Sequence, residues 1–426
     1  MIHRIAWLLV AAGVAVAGIA DAETAPPIPV GNLVDFTGPT ASVGIPYGRG
    51  KEDAVAWINA HGGVAGRPIA LDTFDAGYEV PPAIARYQAW HKDGAVAVQG
   101  WGTADAEALS RFVGEDQIPF FSASYSSALT DPLGRGPETK RPSPYNFIMG
   151  PSYSDGIRAL LDWAKANWQG AGREGQPRFV HMGDNHPYPA SAKKAGEAYA
   201  RELGFIVLPA IQYPMAPTDV RQQCLDLKAS GADYAYLGNT AGSNIGLLQT
   251  CRKMGVQVQF LSNIWGIDEP ALQAAGPAAD GVVWVMGGGT WLEGTQGMAK
   301  VREIAAAAGT TGYQPHHYIR AVCSVFFMRE AMNWAAANGG VTGPHIRDGL
   351  YQKRDWVPEG LEGACSPATW TPDDHRGFNL IRIYQARIAE PLPADADLTS
   401  LIEDGKIAMA PVFEVSVPRR ADWLGW

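Results

Sequence analysis

Cysteine is scarce in this 426-residue chain: there are four, at Cys224, Cys251, Cys323 and Cys365, all in the second half. No two form a CxxC pair, which excludes a thioredoxin-type redox site and the usual zinc spacings. A basic stripe is also missing. The net charge of −9 and pI near 5.5, with no stripe to neutralise a phosphate backbone, argue against nucleic acid as a partner. GxSxG and GxxxxGK[ST] are both absent. Catalysis needs a nucleophile or an acid–base pair with an orienting partner; without that signature, an exported hydrolase is only a minor alternative. Past Ile19 no apolar run reaches membrane-spanning length.

What is present begins with a leader. Arg4 precedes an apolar stretch from Ile5 to Ile19, and Ala20-Asp21-Ala22 offers a small-x-small cleavage site before Glu23. An exported, periplasmic protein cleaved after Ala22 is expected. Export permits disulfides. Four cysteines allow three pairings, of which Cys224 with Cys251 and Cys323 with Cys365 are favoured.

About 400 residues beyond the leader exceed one ordinary core, so two lobes are the default. Apolar runs at 28–36, 68–76, 95–100 and 118–124 read as buried strands, with helices near 47–60, 80–92 and 104–115 between them. The pattern resumes with strands at 177–183, 205–211, 232–238, 258–263 and 281–287. Helices near 188–203, 218–229, 242–254 and 268–275 separate these, and a long one at 316–337 follows. Such alternation predicts an α/β fold with two doubly wound parallel sheets. The Pro-, Gly- and charge-rich segment 131–147 marks a crossing between them.

Three smaller motifs read as structural. Gly287-Gly288-Gly289-Thr290 follows a strand but lacks the Lys or Asp of a phosphate loop. His316-His317 has no third ligand at metal spacing. Thr371-Pro372-Asp373-Asp374, followed by His375, reads as a capped surface turn opening a helix. No metal or cofactor is implied.

Five segments carry a resemblance. VDFTGPTASVGIPYGRGKEDAVAWINAHGGVAGRPIALDTFDAG at the start, QGWGTADAEA and IPFFSASYSSALTD after it, then GDNHPYPASAKKAGEAYARELG and ADYAYLGNTAGSNIGLLQTCRKMGVQVQFLSNIWGIDEPAL, resemble the Leu/Ile/Val-type periplasmic solute-binding proteins of ABC importers. The likeness runs from about residue 28 to about 340. It implies a type I clamshell with hinge crossings. Lobe one would comprise 23–147 plus about 284–345, and lobe two 148–283 plus about 346–377, leaving 378–426 as a C-terminal extension. It also implies a monomer that delivers a small molecule to an ABC permease or other inner-membrane transporter.

In open α/β sheets, ligands bind beyond the carboxyl ends of strands. Trp101, Gly102 and Thr103, with Ser122, Ala123, Ser124 and Tyr125, hold that position in lobe one. Tyr188, Asn239, Thr240, Ile264 and Trp265 hold it in lobe two. The resemblance assigns a carboxylate-binding role to Thr103 and Ser124, with Ser122 as neighbour. The acid that would pair with an α-ammonium falls at Ile264, leaving Asp184 or Asp105 as substitutes; Asp268 and Glu269 belong to the start of the next helix. A buried ammonium without a partner costs several kcal/mol. The four aromatics therefore point to an apolar or aromatic solute, with a branched-chain amino acid as the alternative. Burying ~300 Å² of apolar surface yields roughly 7 kcal/mol, against an association cost of at least about 4. Micromolar binding needs about 8 net. A small ring thus requires a polar handle, such as a carboxylate, whereas a sterol- or lipid-sized hydrophobe can rely on area.

Overall fold

The computed structural model describes residues 26–216, 218–393 and 395–426; the expected leader and Pro217 lie outside them. Lobe one is built from β1 (Ile28–Val34), α1 (Ala41–Ala60), β2 (Ile69–Asp75), α2 (Val80–Lys92), β3 (Ala97–Gln99), α3 (Thr103–Glu115), β4 (Phe120–Ser122) and β5 (Asn146–Ile148). Its five strands run parallel in the order β2-β1-β3-β4-β5.

Lobe two opens with α4 (Tyr153–Gly170), β6 (Arg178–Gly183), α5 (Pro187–Ala190), α6 (Lys193–Glu202), β7 (Ile206–Val207) and β8 (Ile211–Gln212). It continues through α7 (Arg221–Ser230), β9 (Tyr234–Leu237), α8 (Ala241–Lys253), β10 (Gln259–Ser262), α9 (Glu269–Ala275) and β11 (Val283–Met286). The chain then returns to lobe one as α10 (Gln296–Ala307), α11 (His316–Ala337), α12 (Gly343–Leu350) and a hairpin, β12 (Thr369–Thr371) and β13 (Asp374–Gly377). It ends in lobe two as β14 (Leu380–Ile388), α13 (Leu398–Glu403) and β15 (Ile407–Ser416). The second sheet has the order β15-β14-β11-β10-β9-β6-β7, with β8 also pairing β6.

Fully buried runs make the central strands: TyrAlaTyrLeu in β9 and ValTrpValMet in β11 expose nothing on either face, as sheets covered on both sides demand. In lobe one, α11 lies against α1. The helices approach closely because α1 offers Gly50, where a Cβ would stand 2.6 Å from the Tyr318 carbonyl oxygen. Both favoured disulfides form, Cys224–Cys251 between α7 and α8 and Cys323–Cys365 between α11 and the loop before β12.

Several boundaries differ from the sequence reading. Helix α1 starts at Ala41, ahead of the expected start, and carries Pro46 inside it. The single strand expected at 205–211 is split into β7 and β8 around Pro209, which has no amide for the ladder. Helix α7 begins at Arg221 because the Asp219 carboxylate bonds the Arg221 amide and guanidinium in the preceding turn. Segment 131–145 is a loop within lobe one, held by the Asp131 carboxylate accepting from the Leu133, Gly134 and Gly136 amides, and 146–147 open β5; the crossing follows β5.

The lobes also divide differently. Residues 284–286 belong to β11 in the second sheet, whereas α12 packs on α11 and β13 on β5 in lobe one. The expected extension 378–426 instead adds two antiparallel strands to lobe two. Thr371-Pro372-Asp373-Asp374 turns a hairpin, not a helix. His375 is buried there, donating from Nδ1 to the Asn146 carbonyl (2.8 Å) and accepting at Nε2 from Tyr351 (2.7 Å). This arrangement fixes the neutral tautomer.

Candidate functional site

Residues just past the carboxyl ends of successive strands converge on one narrow cavity of about 20 Å³ between the lobes. Lobe one contributes Thr40, Val43, Tyr78, Trp101, Gly102, Thr103 and Ala123; lobe two contributes Tyr153, Tyr188, Thr240 and Trp265. Seven of the twelve residues expected from the sequence are therefore brought together: Trp101, Gly102, Thr103, Ala123, Tyr188, Thr240 and Trp265.

The other five stand behind the wall. Ser124 Oγ shares a hydrogen bond with Thr103 Oγ1 at 2.8 Å. Ser122 is fully buried under the loop. Tyr125 backs Trp265, ring centroids 5.7 Å apart. Asn239 braces its loop, accepting from the Asp184 amide and donating to the Tyr213 and Pro214 carbonyls. Ile264 lines a separate small void with Ser152 and Val285.

The lobes are closed on each other. Trp265 crosses to meet Tyr47 of α1 at 5.2 Å and Trp101 edge-on at 5.4 Å. Tyr78 meets His186 of lobe two at 5.0 Å. Trp101 is anchored by its Nε1 donating to Thr40 Oγ1 at 3.1 Å. Beneath it, the buried Lys51 amine donates to the Leu33 carbonyl (2.7 Å) and the Gly100 carbonyl (3.3 Å), tying β1 to β3; burial lowers its pKa to about 7.

Among the described residues lining the cavity there is no Asp, Glu, Lys, Arg or His. Neither acid offered as an ammonium partner lines it. Burial pushes Asp105 up to about 7, with backbone amides and Lys51 acting against that rise; Asp184 accepts from the Met215 amide. Glu269 is committed to the backbone amide (3.2 Å) and Nδ1 (2.9 Å) of His316. Asp268 caps α9 through the Ala271 amide (2.8 Å) and stands 3.3 Å from His317 Nε2.

Sequence reasoning missed Thr40, Val43, Tyr78 and Tyr153. Tyr153 opens a helix it did not mark. Tyr78 was findable, since Asp75-Ala76-Gly77-Tyr78 puts an aromatic after a strand end, as Gly100-Trp101 does.

Two lobes of parallel sheet around a cavity at their strand ends define a two-lobed solute-binding clamshell. The family model described as "Periplasmic binding protein" matches residues 27–391, and the chain belongs to that family. Leu/Ile/Val-binding protein homolog 7 from Brucella abortus is 28% identical over 254 residues, 58% of this chain and 61% of that protein. The match thus spans less than two thirds of that relative's length. An ABC transporter substrate-binding protein from Aeropyrum pernix superposes with a TM-score of 0.78 at 24% identity, covering 94% of this chain and 98% of its own. A branched-chain amino acid ABC transporter protein from Thermus thermophilus with bound valine gives 0.77 at 20%, covering 92% and 97%.

Proposed function

We propose that the protein is a periplasmic solute-binding protein that captures a small uncharged aromatic or apolar molecule and delivers it to the permease of an ABC importer. The observation that carries this reading is the uncharged, aromatic wall of the interlobe cavity. An α-ammonium placed there would be buried with no carboxylate to meet it, and a carboxylate with no cation. With the lobes closed the cavity keeps only about 20 Å³, about the room of one water, so the lobes must part to admit a solute, and a single ring or short aliphatic body demands less opening than a sterol or lipid. Bridging contacts from Trp265 and His186 to lobe one give a ligand the means to bias the hinge toward closure.

The second reading is a branched-chain amino acid. It is favoured by the likeness to the Leu/Ile/Val-binding homolog and to the valine-bound structure. A thermal-shift panel separates the two, comparing leucine, valine, benzoate, benzyl alcohol and octanoate on the purified protein. A ligand at 100 times its Kd adds about 2.7 kcal/mol. Stabilisation by benzyl alcohol but not by leucine or valine is expected; stabilisation by leucine or valine alone would replace the first reading with the second.

A further inference from the structure

The first amide of a helix carries partial positive charge and is a ready seat for an anion. Helix α3 presents such an amide to the cavity at Thr103, and it is already taken. The Thr103 N–H donates to the hydroxyl of Tyr78 at 3.0 Å, while the Thr103 side chain is engaged with Ser124. The phenol is held there by its backbone. Gly77 and Tyr78 are consecutive left-handed residues, with φ of +56° and +61°, an uncommon conformation for a bulky side chain. The Asp75 carboxylate fixes that turn by accepting from the Gly77 amide at 3.0 Å and the Phe36 amide at 3.1 Å. The ring lies so close over Gly102 that a Cβ at this position would stand 1.9 Å from it.

The opposite wall has the reverse arrangement. Thr240 occupies the N-cap position of α8, yet its hydroxyl makes no cap bond. The residue is 2% exposed, and among the described residues Oγ1 has no partner. Trp265 is 3% exposed, and its indole Nε1 has no partner among them either. Buried groups of this kind are normally satisfied. Both belong to cavity-lining residues of lobe two, and an indole N–H can only donate.

We infer that the polar end of the ligand is an uncharged oxygen held from lobe two by Thr240 and Trp265, and that Tyr78 acts as a specificity determinant, occupying the helix amide on lobe one and so excluding carboxylates. This rests on the reading of the cavity as the ligand site. The ligand class is a small alcohol, ketone or ether on a ring or short aliphatic body. The Tyr78 phenol does for α3 what a carboxylate would otherwise do, so an acidic ligand would have to evict it and would then lie buried without a counter-charge.

Calorimetric titration of benzyl alcohol, benzoate and toluene into the wild type, Tyr78→Phe and Thr240→Val tests this. The wild type is expected to bind benzyl alcohol at least tenfold more tightly than benzoate. Tyr78→Phe keeps the ring but frees the Thr103 amide, and should narrow that ratio at least tenfold. Thr240→Val should weaken benzyl alcohol at least tenfold more than toluene, a readout that stands even if Tyr78→Phe does not fold. Equal wild-type affinity for benzoate and benzyl alcohol overturns the inference. So does a ratio unmoved in a folded Tyr78→Phe, or equal weakening of toluene and benzyl alcohol in Thr240→Val. Binding of leucine with none of the three probes binding would instead overturn the reading of the site on which it rests.

Discussion

The guanidinium carbon of Arg320 sits 3.9 Å from the centroid of the Trp265 ring. Arg320 belongs to α11 of lobe one and Trp265 to the loop after β10 of lobe two, so a buried cation of one lobe supports the aromatic lid of the other. The His317 ring stacks on the same indole at 4.9 Å, and Arg320 Nη1 donates to the Tyr125 hydroxyl at 3.2 Å. A desolvated cation over an indole is worth about 2 kcal/mol.

Replacing Arg320 by Met should therefore lower unfolding stability by roughly 2 kcal/mol and weaken ligand binding, because Trp265 loses its backing. Arg320→Lys should not recover the loss, since an ammonium neither lies flat on the ring nor reaches both partners. Urea unfolding of the three proteins checks this.

Trp101→Ala should weaken benzyl alcohol binding by more than about 1 kcal/mol, as removal of a cavity-wall aromatic does. Trp101→Phe should retain more of the affinity while losing the bond to Thr40 Oγ1. Titration calorimetry is the measurement, with unfolding curves confirming that both variants fold. Unchanged affinity in Trp101→Ala would remove Trp101 from the site.

Gly102→Ala places a methyl where the Tyr78 ring lies. The ring or the strand end must shift, so a stability loss of about 1–3 kcal/mol is expected. Thermal unfolding reads it.

Burial lowers the pKa of His375 to about 4, despite its bond to the Asn146 carbonyl. The unfolded chain then binds more protons than the native one between about 6.5 and 4, so this contribution is full above pH 6.5 and is lost as the pH falls through that window. Between pH 7 and pH 5 the group should cost the wild type roughly 2 kcal/mol. His375→Gln should show correspondingly less pH dependence in urea unfolding at the two pH values.

Removing either disulfide lengthens the free loops of the unfolded chain. Cys323 and Cys365 are 42 residues apart and Cys224 and Cys251 27 apart, so each bond should stabilise by about 3–4 kcal/mol on loop entropy. Cys→Ala pairs, unfolded in urea, measure each separately.

The fold was legible where apolar residues cluster, as in β9 and β11. It was not legible at β5, because Asn146-Phe147-Ile148 follows directly on the Pro-, Gly- and charge-rich segment that reads as a crossing. The lobe to which a segment returns was hidden too, since 346–377 and 380–416 choose their lobes by packing against α11 and β11, which are distant in sequence. At the site, the strand-end rule found Trp101, Thr240 and Trp265. It could not separate Thr103, which faces the cavity, from Ser124 behind it, because both are small hydroxyl residues at strand ends. Nor could it reveal that Glu269, at the start of α9, is spent on His316.

The edge-to-face pair of Trp101 and Trp265 has an optical consequence. Two indoles held at a fixed angle at 5.4 Å couple their electronic transitions, and each is carried by a different lobe. Swinging the lobes apart breaks that coupling, so the far-ultraviolet dichroism of the unlabelled protein carries a gauge of the angle between its own two halves.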